Sequence, residues 1–341
     1  MLRGTDLRKS FVLERDVFGR ARRTMTVVDG VSLEVRPGET VGVVGESGCG
    51  KSTTAELLVL LQQPDAGTVE LDGEVLSGAE PARLRRARRH LQIVFQDPYS
   101  SLDPTQAVGS ALAEPLRAHR IGDRAAQRDR VRAILERVGL PSDDQMLQRY
   151  PAEFSGGQRQ RLAIARALVV EPRYVVLDEA VSALDVSTQA QILQLLRDLQ
   201  RDLGLGYVFI SHDLGVVRHV ADVVVVMYLG RIVERGPVRD LFRRPAHPYT
   251  AALLRSVPVT DPAKQRRRRA TILAGEPPDP AHRPAGCSFH PRCPHARPVC
   301  AQEPVTLREV DGRWVACHRA EEIAVSVATS ASVAPEPSPV A

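Results

Sequence analysis

No stretch of this chain reaches the roughly 18 consecutive apolar residues that a membrane-crossing helix requires, and Met1 to Ser10 are charged where an export signal carries an apolar run. The chain is therefore expected neither to span a membrane by itself nor to be secreted. Cysteine is scarce, five in 341 residues, and four of the five (Cys287, Cys293, Cys300, Cys317) fall in the last sixth of the chain. Without an export signal, that clustering points to a metal or cluster site before it points to disulfides. Nearly all the basic residues behind the net charge of +5 are Arg, with clusters at Arg83 to Arg89 and Arg266 to Arg269. Such runs can meet phosphates or anionic lipid, and the plainer reading is a solvated face. No internal repeat is visible. What is present is 43% hydrophobic residues, enough for one large core with an appendage or for two modest domains.

Apolar runs of strand length recur at Thr40–Val44, Leu91–Phe95, Tyr174–Leu177, Tyr207–Ile210 and Asp222–Tyr228, and most precede helix-like stretches. The alternation predicts an α/β domain with a largely parallel sheet. Between Pro104 and Val170 the strand signal stops, and Gln106–His119, Arg124–Val138 and Gln158–Val170 carry apolar residues at helical spacing. A helical subdomain over about 104–170 is thus expected within a domain spanning 1–256. A small Pro-rich, Cys-bearing domain is expected over 257–320, and an Ala/Val/Ser/Pro tail with no periodicity over 321–341.

Gly45-Glu46-Ser47-Gly48-Cys49-Gly50-Lys51-Ser52, with Thr53 behind, fits G-x-x-x-x-G-K-[ST] between an apolar strand and a helix. Its glycines let backbone N–H groups turn toward the β- and γ-phosphates of a nucleotide. Lys51 supplies positive charge to those oxygens, and the Ser52 hydroxyl ligates Mg²⁺. Cys49 reads as a small filler between glycines. Tyr174-Val175-Val176-Leu177-Asp178-Glu179 is a buried strand ending in two carboxylates, at the edge where open α/β sheets bind ligands. Asp178 is placed to hold Mg²⁺, and Glu179 to polarise the attacking water. An acidic pair after a strand also serves as a helix N-cap; the phosphate loop favours catalysis.

Phe154-Ser155-Gly156-Gly157-Gln158 opens a predicted helix about a hundred residues beyond Lys51. The segment resembles the signature motif of ABC ATPases, with Phe154 at a position that is often Leu. The resemblance implies that Ser155, Gly156, Gly157 and Gln158 cap nucleotide bound to a partner protomer, so that the working site is composite. Gln96 resembles the Q-loop glutamine that senses the γ-phosphate and Mg²⁺. Ser182-Ala183-Leu184-Asp185 resembles the D-loop at the dimer interface, and His212 resembles the switch histidine. Adenine usually stacks on an aromatic upstream of the phosphate loop; Phe11 is the better candidate here, with Phe18 behind it. One departure stands out: Ala180 follows Glu179 where the family often has Pro, which implies altered local rigidity with hydrolysis retained.

Gln96-Asp97-Pro98-Tyr99-Ser100-Ser101-Leu102-Asp103-Pro104 and His247-Pro248-Tyr249-Thr250 resemble the ATPases of oligopeptide and dipeptide permeases, a group that also serves nickel uptake. The most specific part of the likeness, which covers about residues 7 to 320, is the block carrying Cys287, Cys293, Cys300 and Cys317. About sixty Pro-rich residues need a staple to hold a core. Four thiolates suit zinc or a [4Fe–4S] cluster, and spacings of five, six and sixteen residues contain no C-x-x-C knuckle. The cluster is therefore favoured with zinc as the alternative, and relatives with this block also point to iron–sulfur. His282, His290, His295 and His318 read as loop residues.

The likeness implies an ATPase subunit of a peptide importer, peripheral on the cytoplasmic face of a bacterial membrane. Its implied partners are a second ABC ATPase, which in this group is usually a paralogue, two transmembrane permeases and an extracytoplasmic substrate-binding protein. The rivals are a soluble ABC ATPase acting on nucleic acid or ribosomes and an importer of nickel or another small solute. The single nucleotide-binding domain and the absence of a long coiled-coil insertion argue against the first rival, and no nucleic-acid partner is expected.

Overall fold

The computed structural model describes residues 1–16, 18–97, 101–256, 276 and 278–323. The Arg266–Arg269 cluster, Pro98 to Ser100 of the long motif, and the expected tail beyond Ile323 lie outside the described residues. In chain order the strands are β1 (Leu2–Arg15), β2 (Ala21–Val35), β3 (Thr40–Val44), β4 (Ala66–Leu71), β5 (Glu74–Val75), β6 (Leu91–Val94), β7 (Tyr174–Asp178), β8 (Gly206–Ile210), β9 (Val223–Tyr228), β10 (Arg231–Pro237), β11 (Arg308–Val310) and β12 (Arg313–Val315). The chain divides into two compact units. One comprises Met1–Arg8, Gly30–Gly42 and Ser52–Ser211; the other comprises Lys9–Asp29, Val43–Lys51 and the chain from His212 on.

In the first unit β6, β7 and β8 pair in parallel, with Val94 opposite Leu177 and Asp178 opposite Ile210. All five residues of β7 are buried, as are all five of β8. Near-continuous apolar strands of this kind belong to a sheet covered on both faces. Each fully buried Val or Leu contributes roughly 1.5–3 kcal/mol. Helices Val108–Ala118, Arg124–Arg137 and Gly156–Leu168 fall within two residues of their expected bounds. The long helix Val186–Leu203 starts on Asp185, whose carboxylate accepts from the Ser187 and Thr188 N–H groups, and stops at Gly204 in the left-handed conformation. Leu2 to Arg8 of β1 pair antiparallel with β4, and β4 pairs antiparallel with β5.

The sheet of the second unit runs β11-β12-β10-β9 and is antiparallel throughout, so the expectation of a largely parallel sheet fails here. The cause is the connection. Strands β9 and β10 are joined by Leu229 and Gly230 alone, both at positive φ, and two residues make a hairpin but never a parallel crossover. Asp311-Gly312 joins β11 to β12 in the same way. The Cys-bearing segment set apart in the sequence thus belongs to this unit through β12, and its apolar cluster gathers Val310, Val315, Cys317, Ala320 and Ile323 with Ala246. No helix among the described residues is long and apolar enough to cross a membrane.

Candidate functional site

In the second unit Val43 and Val44 lead into a loop whose lysine folds back on it. Lys51 is 5% exposed. Its Nζ donates to the Gly45 carbonyl at 2.9 Å and the Glu46 carbonyl at 3.0 Å, and lies 3.9 Å from Cys49 Sγ. The ammonium is thus held by weak neutral acceptors in the loop itself, and an incoming phosphate is a stronger partner. The loop glycines answer to crowding: a β-carbon on Gly45 meets the Met227 carbonyl oxygen at 2.3 Å, and one on Gly50 meets the Val27 oxygen at 2.6 Å. Cys49 is buried, its thiol pushed up by that burial.

The first unit carries the carboxylates that the sequence singles out. Ser52 Oγ donates to Asp178 Oδ1 at 3.2 Å, which brings together the hydroxyl and the carboxylate assigned to Mg²⁺. Glu179 sits at φ +49°, uncommon for a residue with a β-carbon, and its N–H donates to the Ile210 carbonyl at 3.0 Å. The turn is closed by Ser182, whose N–H and hydroxyl both bond the Glu179 carbonyl. Ala180 lies buried inside it. Gln96, exposed, follows β6 and so stands at the same end of the parallel strands as Asp178.

Ser155 caps helix Gly156–Leu168 through a reciprocal box: Gln158 N–H donates to Ser155 Oγ at 3.4 Å and Ser155 N–H to Gln158 Oε1 at 3.0 Å. The hydroxyl accepts in this contact, which leaves its proton to donate to a phosphate. Gly156 and Gly157 lie against Leu184 and Thr188, so the signature and D-loop segments meet within one unit. Asp185 is occupied as a helix cap, held well below the usual carboxylate range by the Ser187 hydroxyl and the Thr188 N–H. Val186 beside it is 84% exposed.

In the second unit His212 is exposed ahead of helix Leu214–Val220, which Asp213 caps. Phe11 has the Lys9 ammonium 6.0 Å from its ring centre, while Phe18 is 84% exposed between β1 and β2.

The four clustered cysteines are free thiols lining one cavity of about 10 Å³, together with Phe289 and His247. Burial pushes the thiols of Cys287 and Cys293 up, and that of Cys317 up to about 12. The donor set matches a tetrathiolate centre, whereas the room is that of about one water. Among the described residues no group of three or more His, Cys, Asp or Glu stands at metal-holding distance. Geometry alone therefore lends the iron–sulfur and zinc expectations no support. The histidines have other partners: His282 meets Asp279, His290 the Cys287 carbonyl, and His318 the Glu303 carbonyl.

Three residues gained no role from sequence reasoning. Tyr249 and Arg292 both bond Glu46 of the loop, and Glu234, fully buried, accepts from the Ala246 and His247 N–H groups. The His247-Pro248-Tyr249-Thr250 segment was visible as a family mark, but nothing in its sequence says what its ring touches.

Against known proteins, the family described as "ABC transporter" matches residues 28–182, and "Oligopeptide/dipeptide transporter, C-terminal region" matches residues 233–300. The Di/tripeptide transport ATP-binding protein DppF of Pseudomonas aeruginosa is 47% identical over 324 residues, 94% of this chain and 98% of that one. The Oligopeptide transport ATP-binding protein OppF of Salmonella typhimurium is 45% identical over 326 residues, 95% of this chain and 97% of that one. Among solved structures, the ATP-binding cassette MJ0796 in a dimeric post-hydrolysis state bound to ADP and Pi is similar at a TM-score of 0.62. It is 27% identical and covers 70% of this chain and 99% of that one.

Proposed function

Since the chain belongs to the ABC transporter family, in its oligopeptide and dipeptide branch, we propose that it is the ATP-hydrolysing subunit of an importer for di- and oligopeptides. The observation that carries the catalytic half is the 3.2 Å contact between Ser52 Oγ and Asp178 Oδ1, with Glu179 next in the chain. In this reading Lys51 and the loop from Gly45 to Thr53, through its N–H groups from Ser47 on, hold the phosphates. Ser52, Asp178 and Gln96 hold Mg²⁺, which when bound neutralises charge on the phosphate oxygens. Glu179 orients and polarises the attacking water, and His212 faces the γ-phosphate. Adenine stacks on Phe11, with Phe18 as the alternative.

Ser155, Gly156, Gly157 and Gln158 serve nucleotide held by a second ATPase chain. The exposed Val186 beside Asp185 supports an interface at that place. Helices Val108–Ala118 to Gly156–Leu168 form the helical subdomain. A groove of about 720 Å³, lined by Phe95, Leu102, Gln106 and Arg166 among others, offers the permease subunits a foothold in the same unit as Gln96. The chain then works peripherally at the cytoplasmic face, beside two permeases and a substrate-binding protein. The peptide relatives favour this over action on nucleic acid.

The Cys-rich segment is proposed as a small structural site for a [4Fe–4S] cluster, with zinc as the alternative. The reading rests on the donor chemistry of the four cysteines in the sequence and not on the room between them; anaerobic purification followed by iron and zinc analysis decides between the two metals and neither. For the main reading, Glu179→Gln is expected to bind ATP and accumulate a closed dimer, and Lys51→Ala to lose nucleotide. Near-normal turnover by Glu179→Gln removes the assignment of the base, and uptake of nickel in place of labelled dipeptide by the assembled system removes the cargo.

A further inference from the structure

Glu46, second residue of the phosphate loop, is gripped from two directions. Its carboxylate takes both arms of the Arg292 guanidinium, Oε2 from Nη1 at 2.8 Å and Oε1 from Nη2 at 3.1 Å. Its backbone N–H donates to the Tyr249 hydroxyl at 2.8 Å. The Arg292 side chain is 6% exposed and Glu46's is 25% exposed, so this fork is shielded from the water that weakens surface pairs.

The two gripping groups are themselves braced. Tyr228, Tyr249 and Phe289 form a ring cluster with centroid distances of 4.6, 5.3 and 5.4 Å. Tyr249 is fully buried, and its N–H is fixed on His247 Nδ1 at 3.1 Å. Arg292 lies on the short turn between Cys287 and Cys293, tied by bonds from His290 N–H to the Cys287 carbonyl and from Cys293 N–H to the His290 carbonyl. The same turn carries Phe289 into the ring cluster.

We infer that Arg292 and Tyr249 are positioning residues for nucleotide binding: through Glu46 they hold the phosphate loop in its binding conformation, so that the Cys-bearing segment acts on the ATP site. A bound side chain and a bound N–H on one residue fix its peptide planes. The N–H groups that cradle phosphate start immediately after it, at Ser47, Gly48 and Cys49. Loss of either grip lets the loop sample other conformations, and nucleotide affinity falls by the fraction of time the binding form is lost.

The inference rests on the reading of Gly45 to Ser52 as the phosphate loop, and the experiment separates the two. Full-length Tyr249→Phe, Arg292→Met, Glu46→Gln and the Arg292→Met/Glu46→Gln double variant are titrated with MgATP, and melting temperature is recorded for each. Hydrolysis is measured with the partner subunits present. Each single variant is expected to raise Kd and KM for MgATP about tenfold with kcat held within about twofold, and the double variant to be no worse than the poorer single. Lower melting temperature with unchanged affinity reduces both residues to structural staples and overturns the inference, as do fully additive losses in the double variant. Should Arg292→Met fail to fold, Tyr249→Phe, which removes one oxygen and keeps the ring, decides it. Lys51→Ala that still binds ATP sinks the loop assignment instead.

Discussion

Gly157 approaches Thr188 so closely that a β-carbon on the glycine would stand 2.4 Å from Thr188 Cγ2. The start of the signature helix and the helix capped by Asp185 are thereby seated on each other. In an unhindered helix Ala is better than Gly by up to about 1 kcal/mol. Here the contact reverses the sign: Gly157→Ala is expected to lose about 1–3 kcal/mol in denaturant unfolding. Gly156→Ala, whose new carbon meets Leu184 at an ordinary 3.7 Å, is expected to be neutral or slightly stabilised.

Ser155 has a capping task visible in its bond from Gln158 N–H and a proposed task toward a partner's nucleotide. The two are separable. Ser155→Ala is expected to lose about 1 kcal/mol of stability and to slow hydrolysis, whereas Ser155→Asp keeps the cap and sets a carboxylate against phosphate. Thermal unfolding close to the parent with hydrolysis at least tenfold down is the expected result for Ser155→Asp. Parent-like turnover by that variant refutes the phosphate contact.

Removal of the divalent ion tests the Ser52 and Asp178 pair. With EDTA, hydrolysis is expected to stop while nucleotide still binds, because Lys51 and the loop N–H groups remain. Asp178→Asn should shift the Mg²⁺ titration of hydrolysis to higher concentration by tenfold or more, an effect on the order of 1.4 kcal/mol per decade. An unchanged Mg²⁺ midpoint for Asp178→Asn excludes it as a metal ligand.

Glu234 is fully buried beside Arg313, 3.5 Å away, and burial pushes its carboxyl pKa up even though two backbone N–H groups and the guanidinium hold the charged form. Glu234→Ala strands a buried cation and two backbone donors. A loss of about 3–5 kcal/mol is expected, readable in denaturant unfolding. Glu234→Gln, which keeps an acceptor, should lose clearly less.

The linear order of residues carries the candidate chemistry. The phosphate-loop pattern, the strand ending in Asp178 and Glu179, and the Ser155-Gly156-Gly157-Gln158 segment are local, and their spacing survives reading without a fold. The parallel strands β6, β7 and β8 were legible too, because strands buried on both faces are continuous apolar runs. The Asp311-Gly312 hairpin is local as well, a turn dipeptide between two short strands inside the Pro-rich segment.

Only the tertiary structure decided which residues of the second unit meet Glu46. That Tyr249 and Arg292 close on Glu46 depends on chain separations of 203 and 246 residues. An aromatic or an arginine in a sequence announces that it can be buried or paired, not with what. Hydrogen-bond partners so distant along the chain are chosen by packing, and no periodicity or motif records them.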